Sequence, residues 1–150
     1  MTRRDEGFTL AEMMVVMAIL ALSAVMVLPA SRRSAETQEF VSLGHTLAAS
    51  LRQARMEAIG KNRETAMRFD LERRVARAGT SGPEIALPKA VAIDIVTARG
   101  DVTAKEAIFR FFPDGTATGG HIDLKRGEAS LRIAVSWLTG AVSVEDGKAP

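Results

Sequence analysis

From Met13 to Leu28 only Ser23 interrupts a run of apolar residues, and no other stretch of the chain approaches it. Extended back to Phe8, the run covers 21 residues, with Thr9, Glu12 and Ser23 as its polar exceptions. As a helix it would be about 31 Å long, close to the roughly 30 Å hydrocarbon core of a bilayer. Beyond Pro29 the pattern changes. Phe40, Leu43, Leu47, Leu51, Ala54 and Ala58 recur at spacings of three and four, with Ile59 alongside, while Glu36, Glu39, Arg52, Arg55 and Glu57 fill the intervals. This predicts an amphipathic helix over Ser34–Gly60 with a stop at Gly60-Lys61-Asn62. Pro29 either kinks one continuous helix from Phe8 to Ile59 or separates two helices through a loop at Pro29–Ser34.

From Glu64 onward the period falls to two. Thr65, Met67 and Phe69 alternate with Ala66, Arg68 and Asp70; Val91, Ile93 and Ile95 form a second run; Leu131, Ile133, Val135 and Trp137 form another. Ala107–Phe112 is densely apolar apart from Arg110, Ile122 and Leu124 form a short segment, and Val142 and Val144 follow a Thr139-Gly140 turn suited to a hairpin. Gly79–Pro83 and Pro113–Gly120 read as loops. Six short strands behind a long N-terminal hydrophobic and amphipathic helix predict an α+β chain with an antiparallel β-sheet body. Trp137 is expected in the core.

Length and composition narrow the chemistry. The chain has 150 residues, one domain's worth. With 20 Lys+Arg against 18 Asp+Glu, the net charge of +2 disfavours a strongly basic nucleic-acid binder. Cysteine is absent, which excludes disulfides, thiolate metal sites and a Cys nucleophile. Of the two histidines, His45 falls near the packing face of the predicted helix and His121 in a loop expected to be exposed. There is no G-x-S-x-G, no phosphate-binding loop and no EF-hand pattern, and Asp114 and Asp123 read as turn formers rather than calcium ligands. The expectation is therefore no enzyme, no cofactor and no metal.

The N-terminus decides what the apolar run is for. A secretory signal peptide has the basic start, Arg3 and Arg4, but its best small-residue cut, at Ala21 and Ser23, would halve the run. A generic membrane anchor leaves Glu12 unexplained, since a carboxylate in such a segment is costly and usually functional. A third reading begins from the hydrophilic head MTRRDEG, which ends in a single glycine and is followed abruptly by Phe8. That glycine either offers a protease close access to the backbone or merely starts the helix.

Taken together, Gly7-Phe8-Thr9-Leu10-Ala11-Glu12 and the run behind them resemble the class III leader of type IV pilins and type II secretion pseudopilins. The resemblance implies cleavage after Gly7 by a prepilin peptidase and N-methylation of the new amino group on Phe8. It divides the chain into a removable leader (1–7), a transmembrane half of a stalk helix (8–30), an amphipathic half (31–62) and a periplasmic β-rich domain (63–150). Once Gly7 is removed, Phe8 carries a cationic amine and Glu12 lies about one helical turn away. If subunits stack with an offset, Glu12 of one can meet the Phe8 amine of the next. In a low-dielectric setting that pair sets register, and Glu12 is the expected assembly residue. Arg3 and Arg4 before the run balance Arg32 and Arg33 after it, so only the resemblance implies an inner-membrane, single-pass chain with its body in the periplasm.

A second segment carries the resemblance further. Phe111-Phe112-Pro113-Asp114-Gly115-Thr116-Ala117-Thr118-Gly119-Gly120, followed by Ile122 and Leu124, is similar to the strand–turn–strand element of the GspH/FimT family. One branch comprises minor pseudopilins of type II secretion, building a periplasmic pseudopilus that drives folded proteins across the outer membrane. The other comprises FimT-like minor pilins of type IV pili, some of which bind DNA during uptake. The basic candidates for the second branch are Arg73, Arg74 and Arg77 with Lys125, Arg126 and Arg132; no aromatic residue interleaves with them, so they read as solvated faces. With no stacking platform beside them and a mildly acidic stretch at Val144-Glu145-Asp146-Gly147-Lys148, the residues favour the secretion branch. The resemblance implies as partners the prepilin peptidase, major and minor pseudopilins, the inner-membrane assembly platform and membrane lipid.

Overall fold

A computed structural model describes residues 9–98 and 100–146, the side chains of 24–35 excepted. Gly7 and Phe8, the expected cleavage and methylation positions, lie outside the described residues. Helix α1 runs from Leu10 to Gly60. It is helical through Pro29, so the alternative of a loop at Pro29–Ser34 does not hold. The chain divides into two compact units between Gln38 and Glu39.

In the first unit, Thr9 caps α1. Its hydroxyl accepts a hydrogen bond from the Glu12 amide at 3.2 Å, and its carbonyl accepts from the amides of Glu12 and Met13. These contacts satisfy N–H groups that a helix start leaves without partners. Ser23 donates its hydroxyl to the Ile19 carbonyl at 2.8 Å, which satisfies a polar group inside an apolar stretch without water. Leu10, Met13, Met14, Val15, Val16, Met17, Ile19, Leu20 and Leu22 are all exposed within their own unit. Among the described residues no helix is long and apolar enough to cross a membrane. The run read from the sequence, Phe8–Leu28, extends at both ends beyond the side chains the structure describes.

Among the described residues the second unit contains the remainder of α1 and eight strands: β1 (Thr65–Asp70), β2 (Val75–Ala78), β3 (Glu84–Ala86), β4 (Ala92–Thr97), β5 (Glu106–Phe111), β6 (Gly120–Arg126), β7 (Ala129–Val135) and β8 (Val142–Asp146). They form two four-stranded sheets, ordered β3-β2-β1-β5 and β4-β6-β7-β8, with every pair antiparallel. The α+β, pilin-like class read from the sequence is the observed one. The helix stops as a Schellman motif: the Asn62 amide donates to the Ile59 carbonyl, the Arg63 amide to the Ala58 carbonyl, and Asn62 takes the left-handed conformation at φ 47°.

The core forms where the helix stripe meets alternate strand positions. Phe40, Leu47, Leu51, Ala54 and Ala58 are buried together with Met67, Phe69, Phe109, Phe111, Ile122, Leu124 and Ile133. Phe69 and Phe109 meet edge to face on neighbouring strands, their centroids 6.0 Å apart. The helix lies close to β7 at Gly44, where an added Cβ would sit 2.7 Å from a methyl of Leu131. Polar contacts fix the edges of the sheets. Within the second sheet the Thr97 hydroxyl donates to the Gly119 carbonyl at 2.9 Å. The Arg74 guanidinium donates to the carbonyls of Leu87, Pro88 and Val91, gripping the connection from β3 to β4.

Several expectations change. Trp137 is not in the core: β7 ends at Val135 and the indole is 68% exposed in the following turn. The Ser136 amide pairs with the Ala141 carbonyl across that turn and the Gly140 amide with the Ser136 carbonyl, so the chain reverses before the alternation can bury Trp137. His45 is exposed on the helix, away from the packing stripe. His121 lies within β6 rather than in a loop, its imidazole 4.0 Å from the Asp123 carboxylate. Asp123 is likewise a strand residue. Eight strands replace the expected six because β2 and β3 carry Arg77 and Glu84 and are too short to show a period.

Candidate assembly site and family

Glu12 stands at the third helical position after the Thr9 cap. The Thr9-Leu10-Ala11-Glu12 segment thus has the residue types of a capping box, a signal available in the sequence but overlooked beside the leader. The Glu12 carboxylate is exposed and forms no ion pair among the described residues. Around it stand apolar side chains at consecutive positions, so the helix is apolar around its whole circumference rather than on one stripe. A surface of this kind calls for lipid or other helices. Over Leu10–Leu22 the Glu12 carboxylate is the one charged side chain on that surface.

The Pro113–Gly120 segment is a braced turn. The Phe112 amide donates to the Thr116 carbonyl and the Gly115 amide to the Phe112 carbonyl, with Gly115 at φ 85°. Asp114 accepts from the Thr116 amide at 2.9 Å and from its hydroxyl at 2.7 Å, which holds its carboxyl below the usual carboxylate range. That oxygen is committed to the turn. Asp123 is committed to Arg132 through two hydrogen bonds of 2.6 and 2.7 Å, and the guanidinium lowers its pKa. No group of acids and histidines suited to a metal occurs among the described residues.

The basic candidates do not converge. Arg73, Arg74 and Arg77 belong to the first sheet and its β1–β2 turn, whereas Lys125, Arg126 and Arg132 belong to the second. Arg74 is spent on carbonyls, Arg77 pairs with Glu84, Arg132 with Asp123, and Arg126 lies 3.6 Å from Glu39. A recess of about 280 Å³ is lined by Glu57, Arg63, Glu64, Thr65, Arg68 and Arg110 among others. Its arginines face carboxylates, Arg110 holding Asp101 at 2.9 Å and Glu64 at 2.6 Å, and the bond to Asp101 first, then that to Glu64, raises the Arg110 pKa. Neither histidine borders it.

With this geometry in hand, comparison with known proteins is direct. The family described as type II transport protein GspH matches residues 44–140, and the prokaryotic N-terminal methylation motif matches residues 2–28. The type II secretion system protein H of Xanthomonas campestris pv. campestris is 33% identical over 141 residues, covering 93% of this chain and 83% of that protein. Among solved structures, the minor pseudopilin EpsH of the Vibrio cholerae type 2 secretion system aligns with a TM-score of 0.58 at 12% identity, over 74% of this chain and 99% of that one. The type IV minor pilin FimU of Pseudomonas aeruginosa aligns with a TM-score of 0.53 at 20% identity, over 73% of this chain and 90% of that one. At these identities both likenesses speak for a shared fold. By sequence, the chain belongs to the GspH family, the minor pseudopilins of type II secretion.

Proposed function

We propose that this chain is made with a leader, Met1–Gly7, that a prepilin peptidase removes, and that Phe8 becomes the N-methylated first residue of the mature subunit. Residues 8–30 hold the subunit in the inner membrane, 31–62 continue the stalk, and 63–150 form the periplasmic body. Prepared in this way, the subunit leaves the bilayer for a pseudopilus built with major and minor pseudopilins at the assembly platform. The carboxylate of Glu12 meets the Phe8 amine of a neighbour and sets the register of the stack.

One observation carries this reading: over Leu10–Leu22 the helix is apolar around its circumference and bears a single exposed carboxylate, three residues after its cap and four after the residue that would carry a free amine. In hydrocarbon an unpaired carboxylate is penalised, so leaving the bilayer and finding a cation favour the same step. The role is mechanical. The subunit transmits movement and catalyses no bond change, and the free energy of extension comes from a separate cytoplasmic motor.

The experiment is replacement of Glu12 by Ala in the full chain within its own secretion system. The variant is expected to insert and be cleaved, yet to be missing from the fibre fraction and to leave secretion impaired. Normal incorporation would contradict the role of Glu12.

A further inference from the structure

The turn between β7 and β8 is rigid and apolar at once. Ser136, Trp137, Gly140 and Ala141 are held by three backbone hydrogen bonds of 2.8 to 3.0 Å, one of them from the Ala117 amide to the Trp137 carbonyl. Gly119 packs so tightly under Trp137 that an added Cβ would overlap the Trp137 Cβ. Above this base the indole and Leu138 point outward, 68% and 60% exposed. From the last turns of α1, Met56 and Ile59 add two further exposed apolar side chains, with Ile59 against the Gly115 backbone on which Gly140 rests.

Two arginines border this patch. Arg52 donates to the Val142 carbonyl at 2.9 Å and Arg55 to the Gly115 carbonyl at 3.2 Å. Neither reaches a carboxylate among the described residues, whereas Arg68, Arg77, Arg110 and Arg132 all do. A rigidly displayed tryptophan flanked by arginines has the residue types that dominate protein interfaces. The two guanidiniums also define the partner by charge. Two copies meeting symmetrically through this patch would bring four arginines together, and Trp137, Leu138, Met56 and Ile59 offer them no carboxylate, which disfavours self-pairing.

We propose that the Trp137–Leu138 turn, with Met56, Ile59, Arg52 and Arg55, is a docking surface for a different pilin-type subunit, one offering an apolar recess rimmed by carboxylates. The proposal rests on the fibre-subunit reading above. Trp137 fills the recess, and Arg52 and Arg55 exchange single carbonyl contacts for ion pairs with carboxylates.

The test places a photoreactive amino acid at Leu138 in the full chain, expressed in its own secretion system, and identifies the adduct by mass spectrometry. The expected product is a cross-link to another pilin-type subunit. Its yield should fall about tenfold in Trp137→Ala, fall similarly in the Arg52→Glu/Arg55→Glu pair, and recover in Trp137→Phe. Trp137→Ala keeps the Cβ that packs on Gly119, and secondary structure measured on the purified variant confirms its fold. Adducts only to lipid, to secreted protein or to a second copy, or an unchanged yield in Trp137→Ala, would overturn the docking surface while wild-type subunit remains in the fibre fraction. Absence of the wild-type subunit from that fraction would instead overturn the fibre-subunit reading, and the docking surface with it.

Discussion

The hydroxyl of Thr9 accepts a hydrogen bond from the backbone amide of Glu12, 3.2 Å away. The cap uses the main chain of residue 12 and leaves its carboxylate uncommitted, so substitution can remove the charge and keep the cap. Glu12→Gln should keep the helix start, membrane insertion and cleavage, yet be depleted from the fibre as strongly as Glu12→Ala. Quantifying cleaved subunit in membrane and fibre fractions checks this. A glutamine variant that assembles normally would show that assembly does not need the charge.

Gly44 lets α1 approach β7. Gly44→Val would drive its side chain into Leu131 and should destabilise the subunit by about 1–3 kcal/mol. The double variant Gly44→Val/Leu131→Ala should recover part of that loss, since it removes the methyl that is struck. Urea denaturation of the full chain in detergent micelles reads both.

Arg74 and Arg73 are neighbours with different duties. Arg74 grips three carbonyls at the passage between the sheets, whereas the Arg73 side chain is exposed on the β1–β2 turn. Arg74→Ala should lower stability by about 2 kcal/mol, on the scale of lost hydrogen bonds to a charged group. Arg73→Ala should change it by less than about 0.5 kcal/mol. The same unfolding measurement distinguishes them, and equal effects would contradict the assignment.

Asp123 gives the acid limb of stability a specific origin. The Arg132 guanidinium, mainly through its hydrogen bonds, holds the carboxyl below its usual range, with His121 and Lys125 adding to the effect against some loss of hydration. A folded-state value below the unfolded one, about 3.9, means that the pair stabilises fully above that pH. The contribution disappears as pH falls through the folded-state value. Thermal midpoints of wild type and Asp123→Asn should differ near neutral pH and converge in strong acid. A gap that persists at low pH would place the effect elsewhere.

The long elements were legible because each pattern had one physical solution. The apolar run around Met13–Leu28 suits only a helix that needs lipid or partner helices. Met67 and Phe69, or Ile133 and Val135, alternate as a half-buried strand must. Trp137 misled because it continues the alternation of Leu131, Ile133 and Val135, and only the backbone pairing of Ser136 with Ala141 turns the chain before it. Gly119-Gly120 concealed that a strand begins at Gly120 and carries His121. The grip of Arg74 on Val91, 17 residues away, and of Arg52 on Val142, 90 residues away, had no local signature at all.

Proteolytic processing is the hinge on which Phe8, Glu12 and the stalk all turn, and the intact mass and N-terminal sequence of the mature subunit read it most directly. The mature chain should begin at N-methylated Phe8 and retain the whole apolar run. A working apparatus whose subunit still carries Met1, or one that begins beyond Leu28, would contradict it.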